Sequence, residues 1–244
     1  MYILKRIYTV WCFFWFTSIF IALLPFFYLF TISKKTYEWG HHCYRVWSHL
    51  VYTMSFLPVK IEYHYKPKVA QPCVYCPNHT SFWDIPALYR SLNTPFCFIG
   101  KSSLKKIPVF GYLYGKLHIL VDRKSKLSRY DSIFLLKERI AQNQSVVVFP
   151  EGTIPDVAPR LSDFKDGAFR VAIEMQVPIV PMTIPYNWRI LPSSFIVSWH
   201  SSKIIFHDAI HTKGMTLADL PELKKRTFEV IENELKRELG SSYM

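Results

Sequence analysis

The 244-residue sequence contains no G-x-S-x-G motif, so the strained elbow that presents a nucleophilic serine in one large class of hydrolases is missing. A triad built on the protein's own hydroxyl is therefore not expected. No second Cys or His pair stands at a spacing that would complete a metal site with Cys73-Val74-Tyr75-Cys76, so this C-x-x-C is read as two buried strand cysteines. The five cysteines, Cys12, Cys43, Cys73, Cys76 and Cys97, are odd in number and scattered through apolar sequence, which argues against a disulfide framework and for a reducing compartment. There is no internal repeat, low-complexity tract or long linker. Acid is scarce: 18 Asp and Glu face 30 Lys and Arg, for a net charge of +12. That balance calls for an anionic partner such as phospholipid headgroups, nucleic acid or an acidic substrate. No nucleic-acid-binding motif is present, and nucleic acid is not expected as a partner.

What is abundant is apolar sequence, 50% of the chain, with a slightly positive mean hydropathy of +0.09. It is concentrated at the start, where Ile7 to Ile32 carries no charge. At about 1.5 Å per residue this run is long enough for a bilayer core of roughly 30 Å. No small-residue cleavage site follows it, so the segment is expected to stay on the mature protein. Pro25 removes a backbone hydrogen bond and predicts a kink, or an end near Leu24. A second, amphipathic helix is predicted over Trp39 to Phe56, with Trp39, Cys43, Val46, Trp47, Leu50, Val51 and Met54 on one side and His41, His42, Arg45 and His49 as a polar face. Cations flank the first helix at both ends, so a true crossing and two helices lying in one leaflet both fit.

From Lys60 onward, short apolar runs alternate with helical patterns. Strands are predicted at Lys60–Tyr65, Cys73–Cys76, Phe96–Ile99, His118–Val121, Ser145–Phe149, Ile179–Ile184, Phe195–Trp199 and Lys203–His207. Helices are predicted at Asp84–Leu92, Ser128–Gln142, Phe164–Met175 and Leu220–Leu239, the last a solvated packing element. The expected fold is α/β: one domain, residues 58–244, with a central mixed sheet flanked by helices, preceded by membrane-anchoring helices over 1–57.

Three stretches carry chemistry at predicted strand ends. His79 follows a strand and Asp84 opens the next helix. A carboxylate holding imidazole Nδ1–H leaves Nε2 as a base whose ordinary pKa of about 6.5 suits neutral pH. The alternative is that Asp84 only caps its helix. With no serine elbow, the hydroxyl to be activated belongs to the substrate. Val146 to Phe149 then stops at Pro150 and delivers Glu151-Gly152-Thr153 into a loop. Asp122-Arg123-Lys124 follows another strand as a cationic cluster suited to phosphate.

The ordered set Asn78-His79-x4-Asp84, Gly115 to Arg123, Phe149-Pro150-Glu151-Gly152-Thr153 and Val177-Pro178-Ile179-Val180-Pro181 resembles the glycerolipid acyltransferase family typified by 1-acylglycerol-3-phosphate acyltransferase. Phe164 to Arg170 is also similar to that family. The resemblance spans roughly Lys60 to Ile184. It implies that His79, oriented by Asp84, deprotonates the hydroxyl of a lysophospholipid, which attacks an acyl thioester directly. Asn78, Lys101, Arg123, Glu151, Gly152 and Thr153 are implied as substrate-binding residues. The donor is acyl-CoA or acyl carrier protein, with no metal or organic cofactor, and the catalytic domain lies on the cytoplasmic face of a phospholipid membrane. One departure stands out: Ile154-Pro155 occupies the place where the family usually has arginine. Arg123, Arg160, Lys101 or Arg170 compensates, or the acceptor is another lysolipid or an aminolipid. The rival from a different class is a non-catalytic lipid-binding protein.

Overall fold

The computed structural model describes residues 2–64, 72–122, 124–155 and 158–243, apart from the side chains of Lys34, Lys126 and Arg129. The chain opens with two helices, α1 (Tyr2–Thr31) and α2 (Tyr37–Met54). Pro25 lies inside α1, which continues for six residues beyond it, so of the two outcomes expected, a kink or an end near Leu24, the end does not occur. The buried residues of α1 are Cys12, Ile19, Phe27 and Thr31, one narrow stripe, and most of its large apolar side chains face outward. By length and composition alone, α1 can cross a membrane.

Seven strands follow: β1 (Val59–Tyr63), β2 (Val74–Pro77), β3 (Phe96–Lys101), β4 (Ile119–Val121), β5 (Ser145–Val147), β6 (Ile179–Thr183) and β7 (Ser202–Phe206). They form one sheet in the order β1-β7-β6-β2-β5-β3-β4. β6, β2, β5, β3 and β4 run parallel, whereas β7 pairs antiparallel with β6 and parallel with β1. The sheet is thus mixed, and the exits of β2, β3, β4, β5 and β6 share one edge with the entries of β1 and β7.

The period-two alternation of the strands sorts side chains onto two cores. Tyr75, Phe96, Phe98, Val147, Val180 and Met182 pack with α1, α2, α3 (Asp84–Ser91) and α4 (Phe110–Leu117). Their neighbours Val74, Cys76, Cys97, Val146 and Ile179 pack with α5 (Lys126–Ala141), α6 (Gly167–Met175) and α8 (Leu220–Leu239). A short helix, α7 (Asn187–Ile190), follows β6. Cys73 and Cys76 form no disulfide and are buried on opposite cores. α2 belongs to the first core through Tyr44, Trp47, Val51 and Tyr52, so the helices of 1–57 pack directly on the sheet domain.

Two expectations differ from the fold. Phe195–Trp199 forms no strand and joins no ladder. Phe195 has φ 57°, the Val197 N–H donates to Thr9 Oγ1 of α1, and the Ser198 N–H donates to the Ile190 carbonyl. Its apolar character reflects packing against the first helix. α4 was not anticipated, because an eight-residue helix containing two glycines leaves almost no periodic signal. Of the predicted first strand, Tyr65 lies outside the described residues.

Candidate active site

Pro77 ends β2, and the next residues turn into α3, whose first residue is Asp84. The turn forms around that carboxylate. Asp84 is fully buried, and its Oδ2 accepts from the N–H of Thr80 at 2.7 Å, from the N–H of Ser81 at 2.9 Å and from His79 Nδ1 at 2.8 Å. Its Oδ1 accepts from Asn187 Nδ2 at 2.9 Å. An ionised carboxylate only accepts, so Nδ1 carries the proton and Nε2 keeps its lone pair. Asp84 therefore organises the turn and orients His79 at the same time; α3 has no side-chain cap, so the alternative that Asp84 only caps its helix does not hold. The imidazole stacks on Phe149 from the exit of β5, with centroids 3.8 Å apart and an interplanar angle of 17°.

Glu151 also acts on the His79 main chain. Its Oε1 accepts from the His79 N–H at 2.8 Å, and its Oε2 accepts from Ser162 N–H and Oγ at 3.0 and 3.1 Å. Burial raises the pKa of this carboxyl, and the N–H groups of Ser162 and His79 oppose the shift. Asn78 is buried with both amide atoms on the Ile184 main chain, donating at 3.1 Å and accepting at 2.7 Å, so it ties β2 to the exit of β6. Gly152 has φ 78°, where a side chain would be strained, and Thr153 is exposed beside it.

The cations expected at the site separate. Lys101 ends β3, two places from β2 in the sheet, and is exposed with no ion pair among the described residues. Arg170 is paired with Glu174 on α6, and Arg160 donates to the Tyr243 carbonyl near the far end of the chain. Arg123 lies outside the described residues; the outer strand β4 ends at Val121, three places from β2. Lys165 is an addition. Its exposed side chain lies beside Gly152, with Cγ 3.6 Å from where a Cβ on that glycine would stand. Ile154 is half-buried.

Sequence reasoning also missed Asn187, Ser202 and Tyr52. Asn187 Oδ1 accepts from Ser202 Oγ at 2.7 Å, and Ser202 Oγ accepts from Tyr52 OH at 3.2 Å, all three residues being buried. A hydrogen-bonded chain thus runs from Asp84 to α2. Its members are too far apart in sequence for spacing to reveal it.

Metal-ligand atoms converge elsewhere: those of His64, His207 and Glu234 lie within 4.8 Å of one another. β1 and β7 run against the other strands, so this group sits at the opposite sheet edge from His79. The Arg237 guanidinium already holds the junction, at 2.6 Å from Glu234 and 3.1 Å from His64 Nε2.

Comparison with known proteins follows the same lines. The crystal structure of the 1-acyl-sn-glycerophosphate (LPA) acyltransferase PlsC from Thermotoga maritima superposes with a TM-score of 0.79 at 21% identity, over 97% of this chain and 98% of that one, and so shares the fold. The chloroplastic 1-acyl-sn-glycerol-3-phosphate acyltransferase LPAT1 of Arabidopsis thaliana is 32% identical over 77% of this chain and 52% of its own. The chloroplastic BAT2 protein of Brassica napus, of the same name, is 35% identical over 63% and 45%. The 1-acyl-sn-glycerol-3-phosphate acyltransferase of Haemophilus influenzae is 28% identical over 78% and 79%. The chain spans about half the length of the plant relatives. Residues 59–185, more than half of the sequence and including His79, Asp84 and Glu151, match the model of the Acyltransferase family, and the chain belongs to that family.

Proposed function

We propose that this protein is a membrane-bound O-acyltransferase that moves a fatty acyl group from a thioester to the free hydroxyl of a lysophospholipid, most simply 1-acylglycerol-3-phosphate. The observation that carries the reading is the 2.8 Å contact between His79 Nδ1 and a buried Asp84 whose other contacts fix its orientation. His79 Nε2 takes the hydroxyl proton as the oxygen attacks the thioester carbonyl. The tetrahedral intermediate then expels the thiolate, which recovers the proton from the imidazolium and leaves as a thiol. One C–O bond forms, one C–S bond breaks, and no acyl-enzyme is needed. The thioester, acyl-CoA or acyl carrier protein, is a co-substrate, and the reading requires no metal or organic cofactor.

Beside the catalytic turn, Phe13, Phe16, Phe82, Trp83, Leu191 and Phe195 line an apolar cavity of about 160 Å³. Its volume resembles that of cavities that take up benzene-sized ligands, enough for part of an acyl chain. Lys165 supplies positive charge for a phosphate headgroup, beside the loop where Ile154 offers none. The outward apolar surface of α1 rests in lipid. Cysteines that form no disulfide agree with a domain on the cytoplasmic face.

Ile154 favours a second reading: the same chemistry on a lysolipid without a terminal phosphate. Purified protein incubated with labelled acyl-CoA or acyl carrier protein and a panel of lysolipids separates the two. Acylation of lysophosphatidate is the expected result, acylation of other acceptors alone supports the second reading, and no acylation of any acceptor rejects both.

A further inference from the structure

Between Asp84 and Asp122 the chain carries no acidic residue, while Arg90, Lys101, Lys105, Lys106 and Lys116 are all cationic. The segment Lys105-Lys106-Ile107-Pro108-Val109, just before α4, is exposed at every position, with Ile107 47% and Val109 56% accessible. It is a shaped projection. The Gly111 N–H donates to the Ile107 carbonyl at 2.8 Å, and a Cβ on Gly111 would come within 2.5 Å of the Lys105 carbonyl oxygen, so only glycine lets the tip fold back on the helix. Val109 is held at φ 60°, an unfavourable conformation for a β-branched residue, and such strain collects at functional segments.

α4 fastens this tip to the first helix. Phe110 packs on Phe20 at 5.7 Å, and Tyr112 lies 6.5 Å from Tyr28, both tyrosines being more than half exposed. Lys116 covers the Tyr112 ring at 5.4 Å. Phe110 and Tyr112 therefore join the exposed face of α1 to the tip, where lysines border the apolar side chains. Apolar and aromatic side chains edged by lysine, on a segment that carries no acid, match a bilayer interface with anionic headgroups better than they match bulk water.

We infer that Lys105 to Val109, with Tyr112 and Lys116, is a second membrane contact that seats Ile107 and Val109 among the headgroups of anionic phospholipids. This rests on the membrane-bound reading above, in which α1 is the first contact. The tip lies between β3 and β4, the two outermost strands on that side of the active-site edge, so seating it fixes the tilt of that edge toward the bilayer from which a lysolipid arrives.

The test places the environment-sensitive fluorophore NBD on Ile107→Cys in a Cys43→Ser background, with separate reference labels at Val10→Cys on α1 and Glu229→Cys on α8. Each protein is mixed with phosphatidylcholine vesicles, with or without phosphatidylglycerol. The proposal expects blue-shifted emission and lipid-quencher accessibility at positions 10 and 107, stronger at 107 when phosphatidylglycerol is present, and none at 229. Shielding at 10 with none at 107 overturns the second contact and leaves the membrane-bound reading standing. No shielding at either position overturns both. Shielding at 107 only after an acidic carrier protein is added assigns the surface to a protein and overturns the lipid proposal. As a functional check, Lys105→Glu with Lys106→Glu lowers turnover of an acceptor embedded in anionic vesicles by about tenfold and leaves a water-soluble short-chain acceptor unaffected. Equal losses on both acceptors place these lysines in the substrate pocket and overturn the proposal.

Discussion

Two histidine–carboxylate pairs stand at opposite edges of one sheet, and only one is arranged as a base. At the exit of β2, Asp84 receives four hydrogen bonds from three main-chain or amide N–H groups and one imidazole, and it holds His79 at 2.8 Å. At the exit of β1, His64 lies 3.6 Å from Glu234, whose carboxylate is held instead by Arg237 at 2.6 Å. The residue types match, and the competitors differ. A carboxylate orients an imidazole when neutral donors fix its remaining lone pairs and no cation competes for it.

Substitution at the two edges separates them most sharply. His79→Ala lowers kcat by roughly 10²- to 10⁴-fold without releasing the protein from membranes, whereas His64→Ala leaves turnover within about twofold. Labelled acyl transfer and flotation on vesicles read the two effects. Retained turnover in His79→Ala would reject the mechanism. Asn187→Ala removes one of the donors to Asp84 and leaves the Ser202 hydroxyl without its acceptor. We expect roughly a tenfold loss in kcat and a loss of about 1–3 kcal/mol in stability, measured by steady-state kinetics and denaturant unfolding. Asn187→Asp, which sets a second carboxylate against Asp84, restores neither.

The cationic rim gives a smaller effect of a different kind. Lys165→Ala raises KM for a phosphate-headed acceptor about tenfold with kcat nearly unchanged, as expected for an interaction made equally in the ground and transition states. An unchanged KM removes Lys165 from the headgroup site.

Acid completes the comparison, because the second edge holds a histidine that must stay neutral. Burial pushes His207 down to about 4, with His64 and Arg237 adding to the shift. Burial likewise pushes His118 down to about 3 in the first core. Its Nδ1 accepts the Phe98 N–H, and its Nε2 bonds the Tyr89 hydroxyl at 2.7 Å. Both folded values lie below the unfolded value of about 6.5, so below that pH the unfolded chain binds more protons. The stability these groups contribute is complete above pH ~6.5 and is lost as pH falls toward 4 and then 3. Thermal melting should drop by several degrees between about pH 7 and 5, and His207→Gln should flatten part of that slope.

The meeting of His79 with Asp84 and the strand-end position of Glu151 were legible because apolar runs stop at Pro77 and Pro150, and because a turn of five residues leaves few arrangements. The direction of Glu151 was not legible. Nothing in its spacing shows that Ser162 and the His79 main chain turn the carboxylate inward. Asn187 and Ser202 reach Asp84 only through the order of β6, β7 and β2, a property of the assembled sheet. Phe195–Trp199 misled because an apolar run records burial whatever the backbone pairs with; here Val197 is buried and the segment's donors go to Thr9 and to the Ile190 carbonyl.

Helix α1 has a consequence for anyone wishing to handle this protein without lipid. Phe13 and Phe16 form a wall of the cavity beside the catalytic turn, Phe16 lies 6.0 Å from Trp83, Trp47 donates to the Phe16 carbonyl, and Thr9 receives the Val197 N–H. Truncation at Lys35 would open the interior of the sheet domain along with removing the apolar helix. A water-soluble form is better made by keeping the inward stripe of Cys12, Ile19 and Phe27 and exchanging outward residues such as Ile3, Ile7, Val10 and Ile21 for polar ones.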